Sequence, residues 1–237
     1  MPCMRLMLCS GLVHEGPTLD ALVGLLGKPI AESRIVVVID AMLPFPGDKS
    51  TMLGHLDELK ALGWAELDIL TLFSGPSSGI EQRLRDADVI FGYGGTNHWL
   101  AHAWRASGLA PVLRELLDEK VYVGFSAGSM IFSRRHAEVV DAFDDHEEVR
   151  MLGLDQIDGG VGPALPLVDW MLLPHLGADF FPHATDEWAA EAAAKFPVPL
   201  WFLDDDSALI VRDPDTDPEP VGGHWLRFAD GELVDAH

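Results

Sequence analysis

Apolar residues fall along this chain in short runs, each followed by a stretch of helical period or a turn cluster. Runs at 4–10, 34–40, 66–72 and 88–92 read as strands, and the segments 19–26 and 52–62 carry apolar residues at helical spacing. In the second of these helices Leu53, Leu56, Leu59 and Leu62 predict one buried face. The rhythm is β-α-β, which predicts an α/β fold with a mostly parallel, doubly wound sheet and helices on both faces. Ligand sites in such sheets gather at the carboxyl ends of the strands, and Ser10-Gly11, residues 92–97 and Ser126 all fall there. After 133 the rhythm loosens into an acidic stretch at 141–148 and a glycine-rich turn at 158–163, loops suited to shaping a site. An apolar strand over 168–174, an alanine-rich helix over 186–195 and closing strands over 200–202, 207–211 and 224–228 complete the pattern. The Asp and Pro tract at 213–220 reads as a solvated hairpin loop, and Asp204-Asp205-Asp206 as a hairpin turn.

One strand leads into chemistry. Residues 121–125 are apolar and run into Gly124-Phe125-Ser126-Ala127-Gly128, a serine framed by small residues. A G-x-S-x-G segment works as a nucleophile elbow when the chain turns so sharply from strand to helix that the serine is strained and its hydroxyl stands clear of the fold. The apolar residues 129–132 read as the start of that helix, whose positive end would add to an oxyanion field shared with the Ala127 N–H. The loop Gly92-Tyr93-Gly94-Gly95-Thr96-Asn97 follows another strand and can bring backbone N–H groups up to a ligand, forming the other half of an oxyanion hole. Thr96 or Asn97 would cap the helix after it. The loop lacks the lysine of a Walker pattern and fails the G-x-G-x-x-G spacing, so no nucleotide cofactor is expected.

Composition narrows the partners. Across 237 residues, 48% hydrophobic, no break in composition interrupts the chain, so one domain over 1–237 is predicted. A formal net charge of −22 argues against nucleic acid and anionic membrane surfaces as partners. The two cysteines, Cys3 and Cys9, read as core thiols rather than a disulfide. With no leader and no run long enough to span a bilayer, a cytoplasmic protein is expected. No His or Cys pair has metal-ligand spacing, so no metal is predicted, and Trp99 and Trp104 read as core packing.

A serine hydroxyl needs a base, and the base needs an acid. Of ten histidines, His175 is the strongest candidate because it follows the apolar run 170–174 and so sits at a strand's carboxyl end. His183, in a Phe-Pro-His loop, comes next; His14, His55, His98, His102 and His136 read as surface or capping residues. Acids are plentiful: Asp141, Asp144 and Asp145 lie between serine and histidine, and Asp204, Asp205 and Asp206 follow it. His224 and His237 keep open an esterase of α/β-hydrolase type, and a third reading keeps the glycine loop for small-ligand binding without catalysis.

Several motifs in one order resemble the peptidase E and cyanophycinase group of serine peptidases. They are Leu8-Cys9-Ser10-Gly11, the GYGGTN loop, Arg105-Ala106-Ser107-Gly108-Leu109, the elbow, Leu173-Pro174-His175 and the late segment 203–210, read as a hairpin. The resemblance implies a class I glutamine amidotransferase-like fold with a C-terminal hairpin region, and a homodimer. It implies Ser126 as nucleophile, His175 as base, and the N–H groups of Gly94 and Ala127 as oxyanion hole. For the acid it points to Asp144, with Asp141 close behind. Gly95, Thr96, His183 and Asp186 fall in its substrate region. Where peptidase E carries an arginine that grips an N-terminal aspartate, this chain reads Pro182-His183-Ala184-Thr185-Asp186-Glu187-Trp188. A carboxylate pocket without a bidentate cation loses most of its affinity. The expectation is therefore hydrolysis of small peptides, dipeptidase or aminopeptidase-like, without strict Asp-X specificity and with Asp186 and Glu187 available to a substrate's amine or basic side chain.

Overall fold

Five of the apolar runs become neighbouring parallel strands. The computed structural model describes residues 4–196 and 198–237. In it β1 (Leu6–Cys9), α1 (Pro17–Leu26), β2 (Arg34–Val38), α2 (Ser50–Ala61) and β3 (Glu66–Leu70) are followed by α3 (Ser77–Asp86), β4 (Val89–Gly92), α4 (Asn97–Ala106), α5 (Ala110–Leu116) and β5 (Val121–Phe125). These strands pair in parallel in the order β3-β2-β4-β5-β1. Every residue of β1, β4 and β5 is buried, as strands covered on both faces must be. Alternation along them sorts the core. Met7, Cys9, Val37, Phe91 and Val123 pack with Leu22 and Leu25 of α1 and with Met52 and Leu59 of α2. Leu6, Leu8, Val38, Ile90 and Tyr122 face the other way, onto α3, α4 and α5 through Ile80, Trp104 and Leu113. The face of α2 is turned from the predicted one. Met52 takes the buried place and Leu53 is 58% exposed, because a strict three-residue repeat drifts off a face of period 3.6.

Beyond β5 come α6 (Val139–Phe143), α7 (His146–Met151), β6 (Met171–Leu173), α8 (Asp186–Lys195), β7 (Leu200–Leu203), β8 (Ser207–Val211), β9 (Glu219–Gly222), β10 (Trp225–Ala229) and β11 (Glu232–Ala236). Strand β8 joins the first sheet antiparallel to β1 and carries β9 on its outer edge, with the predicted loop between the two. A second, four-stranded sheet has the order β11-β10-β7-β6. Two expectations change here. The strand before His175 belongs to this second sheet, and residues 203–210 are no hairpin: β7 and β8 lie in different sheets, so Asp204, Asp205 and Asp206 form the crossing between them. The expected helix after the elbow is also absent. A 3-10 turn, Ser126–Ser129, gives way to turns, and Ser133 bridges to Val168. Cys9 is a free, buried thiol; Cys3 lies outside the described residues. Among those residues no helix is long and apolar enough to cross a membrane.

Candidate active site

The elbow is built by close approach and held by hydrogen bonds. Ser126 has φ of 52°, in the left-handed region that side chains rarely adopt. Gly128 lies against the carbonyl of Gly92 so tightly that a Cβ there would overlap its oxygen, which is why the turn needs a glycine. Three bonds pin the turn to its surroundings: Tyr122 OH donates to Gly128 O at 2.9 Å, Ser129 Oγ to Cys9 O at 2.7 Å, and the Ser126 N–H to Ser10 O at 3.1 Å. Adjacent strands β4, β5 and β1 thus end together, and Gly94 lies beside Ser126, with 3.1 Å between a Cβ built on it and the Ser126 Cβ. With no α-helix after the elbow, no full helix dipole supports an oxyanion there.

His175 and Ser126 meet from different sheets. Ser126 Oγ lies 2.8 Å from His175 Nε2, and His175 Nδ1 lies 2.7 Å from Asp205 Oδ1. Ser10, fully buried at the end of β1, ties the pair together: its hydroxyl accepts the His175 N–H at 2.7 Å and donates to Asp205 Oδ1 at 3.0 Å. Gly11 lies against the Asp205 backbone, where a side chain would overlap it. Burial pushes the Asp205 carboxyl up. The hydrogen bond and charge of His175 and the Ser10 hydroxyl pull it down harder, so it stays below the usual carboxylate range.

The acid is therefore a correction: Asp205, and neither Asp144 nor Asp141, stands on His175. The stretch 141–148 folds into α6 and α7 and becomes a wall of the site. Asp144 ends α6 with φ of 59° and lines the cavity, and Asp141 pairs with exposed His146 at 3.2 Å. That cavity measures about 600 Å³ and opens onto Ser126, Ala127, Gly95, Asn97 and His183, with apolar walls from Val139, Phe143, Leu173, Phe181 and Trp188. Two more expected substrate residues stand elsewhere. The Thr96 hydroxyl caps α4 by accepting the Trp99 N–H at 3.3 Å, and the Asp186 carboxylate holds His224 Nε2 at 3.0 Å.

His98 and His136, expected as surface or capping residues, are instead a buried pair behind the cavity. Their rings meet edge to face at 5.1 Å. His98 Nε2 lies 3.2 Å from Asp145 Oδ2, and His136 Nδ1 lies 3.2 Å from Met130 O. Burial, and then the neighbouring His98, depress His136 to about 3. The signal was the period of α4, whose buried positions 97, 98, 100, 101, 103 and 104 put His98 on its inner face. Ser10, at a strand's carboxyl end, and Asp205, one of several candidate acids, carried only weak signals, since their roles depend on the contact between sheets. Among the described residues no group of three His, Cys, Asp or Glu side chains is arranged to hold a metal ion.

Comparison with known proteins agrees with this fold. A candidate peptidase E from Listeria monocytogenes EGD-e superposes with a TM-score of 0.68 at 17% identity, covering 92% of this chain and 98% of that one. A peptidase from an acI-B1 Actinobacterium gives 0.63 at 17% identity, covering 98% and 97%. An uncharacterized peptidase of Listeria monocytogenes, Lmo0363, is 29% identical over 148 residues, 62% of this chain; the match spans 66% of the relative's length. The model of peptidase family S51 matches residues 6–217, nearly the whole chain, which therefore belongs to that family.

Proposed function

We propose that this protein is a serine peptidase of small peptides, with Ser126 as nucleophile, His175 as general base and then acid, and Asp205 as the carboxylate that orients and charges the pair. The observation that carries the reading is the 2.8 Å contact between Ser126 Oγ and His175 Nε2, continued at 2.7 Å to Asp205. With Nδ1–H donated to Asp205, Nε2 keeps the lone pair that takes the serine proton. Attack on the scissile carbonyl forms a tetrahedral oxyanion beside the backbone N–H groups of Ala127 and Gly94. One such donor is worth about 10²–10³-fold in rate. His175 then protonates the leaving amine, and water resolves the acyl-enzyme by the same steps reversed.

The recessed cavity of about 600 Å³ suits a dipeptide or a short N-terminal segment rather than a folded protein. The esterase alternative rested on His224 and His237. His224 Nε2 is engaged by Asp186 and its Nδ1 by the His237 carbonyl, so neither ring nitrogen is available to Ser126. A dipeptide panel on wild type and Ser126→Ala, with fluorophosphonate labelling of the serine, tests the proposal. Hydrolysis and labelling lost together in the variant are expected; peptide hydrolysis surviving in Ser126→Ala would refute it.

A further inference from the structure

The cavity beside Ser126 is acidic. Asp144, Asp145 and Glu148 line it, and among the described residues that line it there is no lysine or arginine. Of the three carboxylates only Asp145 has a partner, His98, whose side chain is fully buried and whose other ring nitrogen, Nδ1, has no hydrogen-bond partner. Beyond His98 the ring of His136 is kept neutral by burial. Asp145 is thus aimed from behind by a buried ring, while Asp144 and Glu148 make no side-chain hydrogen bond or ion pair among the described residues.

A substrate carboxylate entering this space meets like charge and no cation to receive it. A basic side chain meets an opposite charge that is already oriented, so little ordering is required on binding. Resting on the reading of Ser126 as nucleophile, we propose that this cavity selects peptides with a lysine or arginine side chain next to the scissile bond. Asp145 is the specificity-determining carboxylate, and His98 the residue that positions it. The whole chain, at −22, attracts any cation at long range, so the test must separate the cavity from the overall field.

Affinity is measured by calorimetry on Ser126→Ala, which binds without turnover, for Lys-Ala and Ala-Lys against the neutral isosteres norleucyl-Ala and Ala-norleucine, and for Asp-Ala. The better lysyl peptide is expected to bind about tenfold or more tightly than its isostere, Asp-Ala weakest of all, and the margin to shrink at high salt. Asp145→Asn should bring the lysine-to-norleucine ratio close to one. Asp141→Asn, which removes one charge outside the cavity, should leave it. His98→Phe should lower the ratio and His98→Gln, which keeps a donor, restore it. Equal affinity for both lysyl peptides and their isosteres, tighter binding of Asp-Ala, or a ratio that survives Asp145→Asn overturns the proposal. Hydrolysis by the wild type is scored separately, so a protein that selects lysyl peptides without cutting them refutes the peptidase reading and leaves the selectivity standing.

Discussion

Replacing Asp205 by asparagine isolates what the acid contributes. Both donors that reach this side chain, the Ser10 hydroxyl at 3.0 Å and His175 Nδ1 at 2.7 Å, converge on the same oxygen, Oδ1. An asparagine with its carbonyl oxygen in that position keeps both hydrogen bonds and the tautomer that leaves Nε2 free, so the change removes charge and little else. Two unit charges about 4 Å apart attract by about 4 kcal/mol at an effective dielectric of about 20 and by about 1 kcal/mol in bulk water. The Asp205 side chain is 38% exposed, so its hold on the imidazolium falls between those limits, at about 2–3 kcal/mol. That corresponds to about a hundredfold in kcat. Asp205→Ala also removes the shared acceptor and is expected to lose about 10⁴-fold, as when a triad acid no longer fixes its histidine. Steady-state kcat on a neutral dipeptide is the assay, with circular dichroism to verify folding. Asp141→Asn, whose carboxylate faces exposed His146, serves as the control at wild-type rate. A loss of less than about threefold in Asp205→Asn, or a larger one in Asp141→Asn, refutes the reasoning.

Ser10→Ala leaves the His175 N–H without its acceptor and takes from Asp205 one of its two donors, leaving His175 Nδ1 alone, a loss of about 1–3 kcal/mol. It is expected to lower kcat by about ten- to fiftyfold with little change in KM; a change confined to KM would contradict this positioning role. Burial raises the Asp40 carboxyl from 3.8 to about 6, against the opposing Leu72 N–H. Its contribution to stability is complete below 3.8 and lost as pH rises through about 6, so Asp40→Asn should gain about 2–3 kcal/mol at pH 7.5 and nothing at pH 4, read from urea midpoints. His136 has the opposite sign. With its pKa lowered from 6.5 to about 3, its contribution is present above 6.5 and declines by about 1.4 kcal/mol per pH unit towards about 3. His136→Gln should flatten the acid limb of the stability profile, and an unchanged slope would show that other groups set it.

Period and turn chemistry made much of this legible. Alternation and helical spacing marked the five parallel strands and their helices, and small residues around Ser126 marked the elbow, because each of these is enforced by neighbours along the chain. What stayed hidden depends on contact between segments distant in sequence. Asp205 lies in a run of three aspartates that has the composition of a turn. Only the passage of the chain from β7 to β8, from one sheet into the other, drops it beside His175. The family resemblance points to Asp144, but its segment is consumed in two short helices that wall the cavity. Thr96 and Asp186, expected in the substrate region, each have another partner: the first caps its own helix, and the second holds His224 from a segment 38 residues away.

The carboxylates of the cavity also bear on the chemical step. In the proposed reaction, proton transfer to His175 creates a cation beside Asp205, while an anion grows at the carbonyl attacked by Ser126. The charges of Asp144 and Glu148, without a side-chain partner among the described residues, help the first and oppose the second, since like charge disfavours the oxyanion in a site of reduced dielectric. A basic substrate side chain that neutralises the wall removes that opposition just as the anion forms. The advantage of a lysyl peptide over its norleucyl isostere is then expected to appear in kcat as well as in KM. Uniform binding energy would lower KM alone. Pre-steady-state acylation rates on the two peptides separate these cases. Equal acylation rates, with the whole difference in binding, would mean that the wall recruits the substrate without assisting the reaction.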